Sequence, residues 1–221
     1  SITKDANTIS VGGIVGIATN CTIDSCSNNI SISAGTPTAG GIVGTLNSGS
    51  VNFCYNVGTI TADTYAGGII GNATGNISIT NTRNIGSASA QSMGGIIGYS
   101  AATALTLSDC SNSGTISSGA YAGGMIGNGT NGGTISYCYN SGIVLGTTRS
   151  DALANPTIFT INTNSYGTTD GTKSTISPTD SDPVSGHFYD DVNGQGIWAT
   201  VCSGKTWRNE EAGRLFKNDS L

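Results

Sequence analysis

Gly40-Gly41-Ile42-Val43-Gly44 is the stretch whose reading decides the fold, because the chain repeats it at a near-constant interval. The same pentapeptide stands at Gly12–Gly16, Gly67–Gly71 and Gly94–Gly98, and again with methionine at Gly123-Gly124-Met125-Ile126-Gly127. Successive starts are 28, 27, 27 and 29 residues apart. A fixed period of this length marks a stacked array in which each unit leans on its neighbours.

Working outward, a second column keeps stricter time. Cys26-Ser27-Asn28, Cys54-Tyr55-Asn56, Thr82-Arg83-Asn84, Cys110-Ser111-Asn112 and Cys138-Tyr139-Asn140 follow one another every 28 residues. Three residues ahead of each Cys or Thr stands an aliphatic: Ile23, Val51, Ile79, Leu107 and Ile135. Thr22-Ile23-Asp24, Thr59-Ile60-Thr61 and their counterparts alternate polar, apolar, polar, which is strand periodicity with the aliphatic turned inward. Helix-period spacing is absent through residue 146. Three short strands per period, divided by Gly and Asn turns, make one coil of a right-handed parallel β-solenoid. The coils fall at about residues 8–35, 36–62, 63–90, 91–118 and 119–146. The column Asn28, Asn56, Asn84, Asn112 and Asn140 reads as a turn ladder, bonding the backbone or the next Asn and tolerating left-handed φ. Gly58, Gly86, Gly114 and Gly142, two residues on, are expected to need positive φ.

These residues resemble the GLUG-motif repeat: Gly-Gly-Ile-Val-Gly followed by Cys-x-Asn-x-Gly-x-Ile, over about residues 8–146. The resemblance implies a secreted or surface-anchored bacterial protein. Such repeats occur in adhesin-like proteins and in non-catalytic regions of IgA-cleaving metallopeptidases. It implies a scaffold or adhesive role and brings no peptidase motif. With one histidine in 221 residues, a His-Glu-x-x-His zinc site is impossible. Ser1-Ile2-Thr3 resembles the end of a repeat, so the chain reads as a piece of a longer array.

Composition narrows the function. Only six of the 21 charged residues lie in 1–146 (Lys4, Asp5, Asp24, Asp63, Arg83 and Asp109), and the net charge is −5. That balance argues against a nucleic-acid partner, and no apolar run reaches the ~20 residues of a membrane span. Asp24, Asp63, Asp109 and Arg83 fall in different coils and columns, so no paired carboxylates for acid–base work are visible. Cys26, Cys54, Cys110 and Cys138 read as small packing thiols, since Thr82 shares their column. The competing readings are a disulfide ladder, for which stacked Cβ vectors are poorly aimed, and a zinc site, for which Cys-x-x-Cys spacing is lacking. No metal and no cofactor is expected.

Two outward columns of hydroxyls stand out. One face carries Ser31/Ser33, Thr59/Thr61, Ser87/Ser89 and Thr115/Ser117; the other carries Thr22, Ser50, Ser78, Thr106 and Thr134. They read as solubilising surface, as a lattice for ice, or as a contact face for a glycan. The adjacent aliphatics of each pentapeptide pose a problem: on a regular strand one must face outward. Either the chain bends there or something covers the stripe.

Beyond residue 146 the period decays. Residues 157–164 read as a degenerate sixth coil, 168–186 as a polar loop, and the remainder as a C-terminal cap holding Trp198, Trp207, Phe188 and Phe216. The alternative is a small binding module that uses Trp198 or Trp207 for stacking. Residues 209–217, acidic early and basic late, are expected to form a short helix. His187 and the 191–195 stretch read as a solvated turn, since the calcium-loop glycine and glutamate are missing. The expectation is therefore a non-enzymatic surface module that binds a glycan, protein or matrix partner. The rivals are an ice-binding protein and a carbohydrate-active β-helix enzyme.

Overall fold

The computed structural model describes residues 9–33, 35, 37–162 and 165–167, together with the backbone of 207–210 and 214–217. It is an all-β solenoid of about five turns: three parallel sheets run the length of the stack, and no described residue is helical.

Each coil contributes to all three sheets. The long-strand sheet holds Val15–Asp24, Val43–Asn52, Ile70–Thr80 and Ile97–Ser108, then Ile126–Gly129 and Thr134–Ser136. A sharp corner leads to the short-strand sheet of Ser27–Asn28, Tyr55–Asn56, Arg83–Asn84, Ser111–Asn112 and Tyr139–Asn140. The third sheet begins at Ile32–Ser33 or Ile60–Thr61 and ends at Thr38–Gly40 or Tyr65–Gly67. In later coils these pieces fuse into Ala88–Gly94 and Ile116–Gly123. Parallel pairing continues past residue 146: Arg149–Asp151 lies beside Tyr121–Gly123, Thr160–Ile161 beside Thr134–Ile135, and Tyr166–Gly167 beside Tyr139–Asn140.

The expected inward column is continuous. Ile23, Val51, Ile79, Leu107, Ile135 and Ile161 pair in register, and all are buried. Burying one such side chain is worth about 1.5–3 kcal/mol. Cys and Asn keep a strict 28 while the pentapeptide slips. The slip is taken up by register shifts after Gly75 in the long-strand sheet and between Ala90 and Ser92 in the third, where a bulge inserts or removes a residue without disturbing the columns.

The pentapeptide turns out to be a waist. Its first glycine closes a third-sheet strand, and its first aliphatic lies at the bend into the long-strand sheet. The chain bends there, so Ile42/Val43, Ile69/Ile70, Ile96/Ile97 and Met125/Ile126 are buried in both members. Ile14 alone is 50% exposed, in the first described coil. The second glycine faces the asparagine of its own coil. A Cβ on Gly41 would lie 2.5 Å from Asn56 Cγ and 2.1 Å from Gly68 O. One on Gly68 would lie 2.2 Å from Asn84 Cγ. This pinch separates two hydrophobic clusters. One is built on the long strands with the buried pentapeptide aliphatics and thiols; the other, on the third sheet, has Ile32, Ile60, Met93 and Ile116.

Two expectations about backbone conformation are corrected. Gly58, Gly86, Gly114 and Gly142 are not left-handed; the described glycines with positive φ are Gly49 and Gly75. Those four are glycine because a Cβ would fall 1.9–2.0 Å from a carbonyl oxygen of the preceding coil. The left-handed column is not the asparagines but the residue before each Cys, or before Thr82: Ser25, Phe53, Asn81, Asp109 and Tyr137, with φ from 49 to 57°. It makes the corner between the long and short strands.

The helix expected over 209–217 is also corrected: Trp207–Glu210 and Arg214–Lys217 form an antiparallel strand pair. Charge–dipole terms are worth under about 1 kcal/mol, and a helix of nine residues is marginal in water. Gly213 between the runs and the aromatic and β-compatible Trp207, Leu215 and Phe216 favour a hairpin.

Candidate functional site

The predicted hydroxyl residues of the third sheet form a grid. Ser33, Thr61, Ser89 and Ser117 stand in register on successive strands. Thr59, Thr61, Ser87, Ser89 and Ser117 are exposed and Thr115 is half-buried. The backbone explains why these side chains are free to face out. The carbonyls of Thr59, Ser87 and Thr115 accept from Ile32, Ile60 and Ala88 of the preceding coil at 2.8–2.9 Å, and the intervening aliphatics point inward. The grid ends at Ile143 and Leu145, both exposed.

The long-strand sheet is broader. Its column Thr22, Ser50, Ser78, Thr106, Thr134 and Thr160 pairs in register over six coils. Rungs are joined laterally: Ser50 Oγ donates to Thr22 Oγ1 at 3.1 Å, Thr80 Oγ1 to Asn52 Oδ1 at 2.8 Å, and Thr74 Oγ1 to Asn47 Oδ1 at 2.8 Å. The result is a flat lattice of hydroxyls and amides with one acidic group, Asp24, in the adjoining column.

A third feature lies at the waist, where the outer surfaces of two sheets meet. In the column two before each pentapeptide (Ser10, Thr38, Tyr65, Ser92, Tyr121), Ser10 and Tyr65 meet the position just after the pentapeptide of the next coil. Ser10 Oγ hydrogen-bonds Thr45 Oγ1 at 2.9 Å, and Tyr65 stacks on Tyr99 with ring centroids 4.6 Å apart and planes 20° from parallel. Arg149 continues the first column, in register with Tyr121, and its guanidinium lies over the Tyr121 ring at 5.1 Å. Arg149 also donates from Nε to Asp151 Oδ2 at 2.5 Å and from Nη2 to Asn128 Oδ1 at 3.4 Å. Burial raises the Asp151 carboxyl above its ordinary value, and Arg149 pulls it back. Tyr65, Tyr99, Tyr121, Arg149 and Asp151 escaped the sequence reading, although all sit at fixed offsets from the pentapeptide or its degenerate copy.

The asparagine and cysteine columns are interior. Asn28, Asn56, Asn84 and Asn112 each donate from Nδ2 to Oδ1 of the next Asn at 2.7–2.8 Å, ending on Asn140. Each of the five also donates to the carbonyl two residues on, at 2.7–3.1 Å. Cys26, Cys54, Cys110 and Cys138 are free thiols that donate to the carbonyl two residues back, as Cys54 does to Asn52 at 3.2 Å. Thr82 Oγ1 makes the same bond at 2.8 Å, which explains its place in the column. Burial pushes the Cys54 thiol up to about 11 and raises Cys110 as well. Among the described residues no three His, Cys, Asp or Glu side chains are placed to share a metal ion, and no helix is long and apolar enough to cross a membrane. Trp198, His187 and the 191–195 stretch lie outside the described residues, and Trp207 is described by its backbone alone. No family model, curated protein or solved structure matches the chain.

Proposed function

We propose that this chain is a non-enzymatic extracellular or cell-surface module of bacterial type, adhesive or structural, that binds a glycan, protein or matrix partner across its flat faces. One observation carries the reading: two sheets present uncharged hydroxyls in register, over four and six coils, on a body whose interior ladder leaves little freedom to rearrange. A rigid, regular, neutral lattice suits a partner that is itself regular and neutral, and binding to a preorganised surface costs little ordering entropy. The side-chain carboxylates of the described coils, Asp24, Asp63, Asp109 and Asp151, occupy four different columns, which supports binding over acid–base chemistry. The resemblance to GLUG repeats points the same way. Glycan and matrix-protein arrays probed with the isolated chain test the proposal. Saturable binding that is lost on placing charge in the lattice, by Thr61→Arg with Ser89→Arg or by Ser78→Arg with Thr106→Arg, is the expected result. No saturable binding on any array refutes it.

The six-coil column ending in Thr160 favours one second reading, an ice-binding face, because parallel coils repeat hydroxyls at about 4.8 Å. Thermal hysteresis and ice shaping in dilute solution decide that point. A carbohydrate-active enzyme is the remaining rival; a polysaccharide panel showing cleavage, with or without calcium, would replace the adhesive reading.

A further inference from the structure

We propose that the waist corner spanning the third to sixth coils, lined by Tyr65, Tyr99, Tyr121, Arg149 and Asn128, is a saccharide subsite for an uncharged, extended pyranose chain lying along the solenoid axis. The inference rests on the glycan form of the adhesive reading and gives it a location and a ligand class.

The corner does not need tyrosine to close. The same columns elsewhere carry Ser10, Thr38 and, within the corner itself, Ser92 on one side, and Ile17, Thr45, Asn72 and, within the corner, Asn128 on the other. Small polar groups there suffice: Ser10 Oγ bonds Thr45 Oγ1, and Ser92 Oγ donates to Gly98 O at 3.1 Å. Three tyrosines nevertheless gather on three consecutive coils. They are half-buried and held, two by mutual stacking and the third under a guanidinium. Stacking covers ring faces, so what each half-buried ring turns to a ligand is its edge and its hydroxyl, a hydrogen-bonding group for sugar hydroxyls held in place at low entropic cost.

Charge and spacing select the ligand. Asp151 neutralises Arg149 through the 2.5 Å contact, so the corner has no net charge to attract a uronate or a sialic acid. The Asn128 amide, whose Oδ1 accepts from the guanidinium, supplies its Nδ2 as a donor suited to a sugar hydroxyl. The aromatic and guanidinium groups climb the stack at one coil per step, about 4.8 Å, close to the length of one ring in an extended pyranose chain. Successive sugars thus meet successive coils.

Calorimetric titration of the whole chain with neutral cello-, xylo- and manno-hexasaccharides, and with oligogalacturonate as the charged control, tests the proposal. The variants Tyr65→Thr, Tyr99→Asn and Tyr121→Ser each install a residue that another coil already carries in that column, so the corner can still close. One neutral hexasaccharide is expected to bind and the uronate to fail. Each swap should weaken binding about tenfold, and the triple variant should abolish it. Nitration mapped by mass spectrometry gives a readout on the unmodified sequence: bound sugar should protect Tyr65, Tyr99 and Tyr121. A triple variant that binds like the parent, tyrosines that stay unprotected, or preference for the uronate overturns the subsite. If the lattice variants then lose binding to the arrayed partner, the adhesive reading survives alone. Absence of any glycan binding removes the subsite, and the adhesive reading then stands or falls on the matrix-protein arrays.

Discussion

Replacing Asn84 by alanine tests the account of what holds the coils in register. Asn84 is fully buried, halfway along the ladder. It donates to Asn112 Oδ1 and to Gly86 O, each at 2.7 Å, and accepts from Asn56 Nδ2 at 2.8 Å. Asn84→Ala removes all three bonds, worth about 1 kcal/mol each, and leaves Gly86 O without the amide donor. That desolvated group adds about 1–3 kcal/mol. The expected loss is therefore about 4–6 kcal/mol, a large share of the 5–15 kcal/mol typical of a folded domain. Asn28 stands at the end of the ladder and makes one inter-asparagine bond, so Asn28→Ala should cost roughly half as much. Urea denaturation followed by circular dichroism gives both values, with Ser78→Ala on the outer face as the baseline. If Asn84→Ala matches that baseline within about 0.5 kcal/mol, the ladder is not what holds the stack and the reasoning fails.

The waist predicts a contrast between glycines: Gly41→Ala, whose Cβ meets Gly68 O at 2.1 Å, should prevent folding, whereas Gly16→Ala, with Ser10 O at 3.1 Å, should fold; soluble yield and thermal melts report both. Phe53 sits at φ 49° with 47% of its surface exposed, so Phe53→Asn should raise stability by about 0.5–1 kcal/mol by relieving left-handed strain, measured as the shift in urea midpoint. The Cys54 thiol, raised to about 11 by burial, favours folding while both states are protonated. That contribution is complete below pH 9 and is lost between pH 9 and about 11, where the unfolded thiol ionises and the folded one does not, at up to about 1.4 kcal/mol per pH unit. Cys54→Thr, copying Thr82, should flatten that decline relative to the parent, and equal slopes would refute it.

The array was legible because its constraints recur as residue types. Where a Cβ cannot fit, every coil says glycine; where an amide must bridge to the next amide, every coil says asparagine. The inward aliphatics were readable for the same reason. The left-handed corner was not, because Ser25, Phe53, Asn81, Asp109 and Tyr137 share a conformation and no chemistry. Asn and Asp alone among them hint at positive φ; the neighbouring hydrogen bonds impose it on Phe and Tyr. Gly58 and its equivalents misled in the opposite direction. They were read as conformational glycines, whereas a carbonyl of the preceding coil forbids the side chain. The tyrosine corner stayed hidden because its two columns carry Ser, Thr, Tyr and Arg on one side and Ile, Thr, Asn and Tyr on the other. Their pairing runs between coils, from the position before one pentapeptide to the position after the next.

These constraints also bear on where specificity can arise. The waist fixes two glycines and an asparagine per coil, and the two cores fix the inward aliphatics. Charges on the inner positions would face hydrophobic clusters on either side of the Asn ladder, at several kcal/mol per ion. Variation is therefore confined to outward columns, and among these the flat-face positions differ little: serine, threonine or asparagine at most rungs. The waist columns are different in kind. They face each other across a re-entrant corner, so a change at one rung alters a contact rather than a solvated surface. Tyr65, Tyr99, Tyr121 and Arg149 bring aromatic and cationic variety to that corner. On the proposed reading, such a solenoid presents an extended neutral face for weak repeated contact, and substitutions at the waist select which polymer is held.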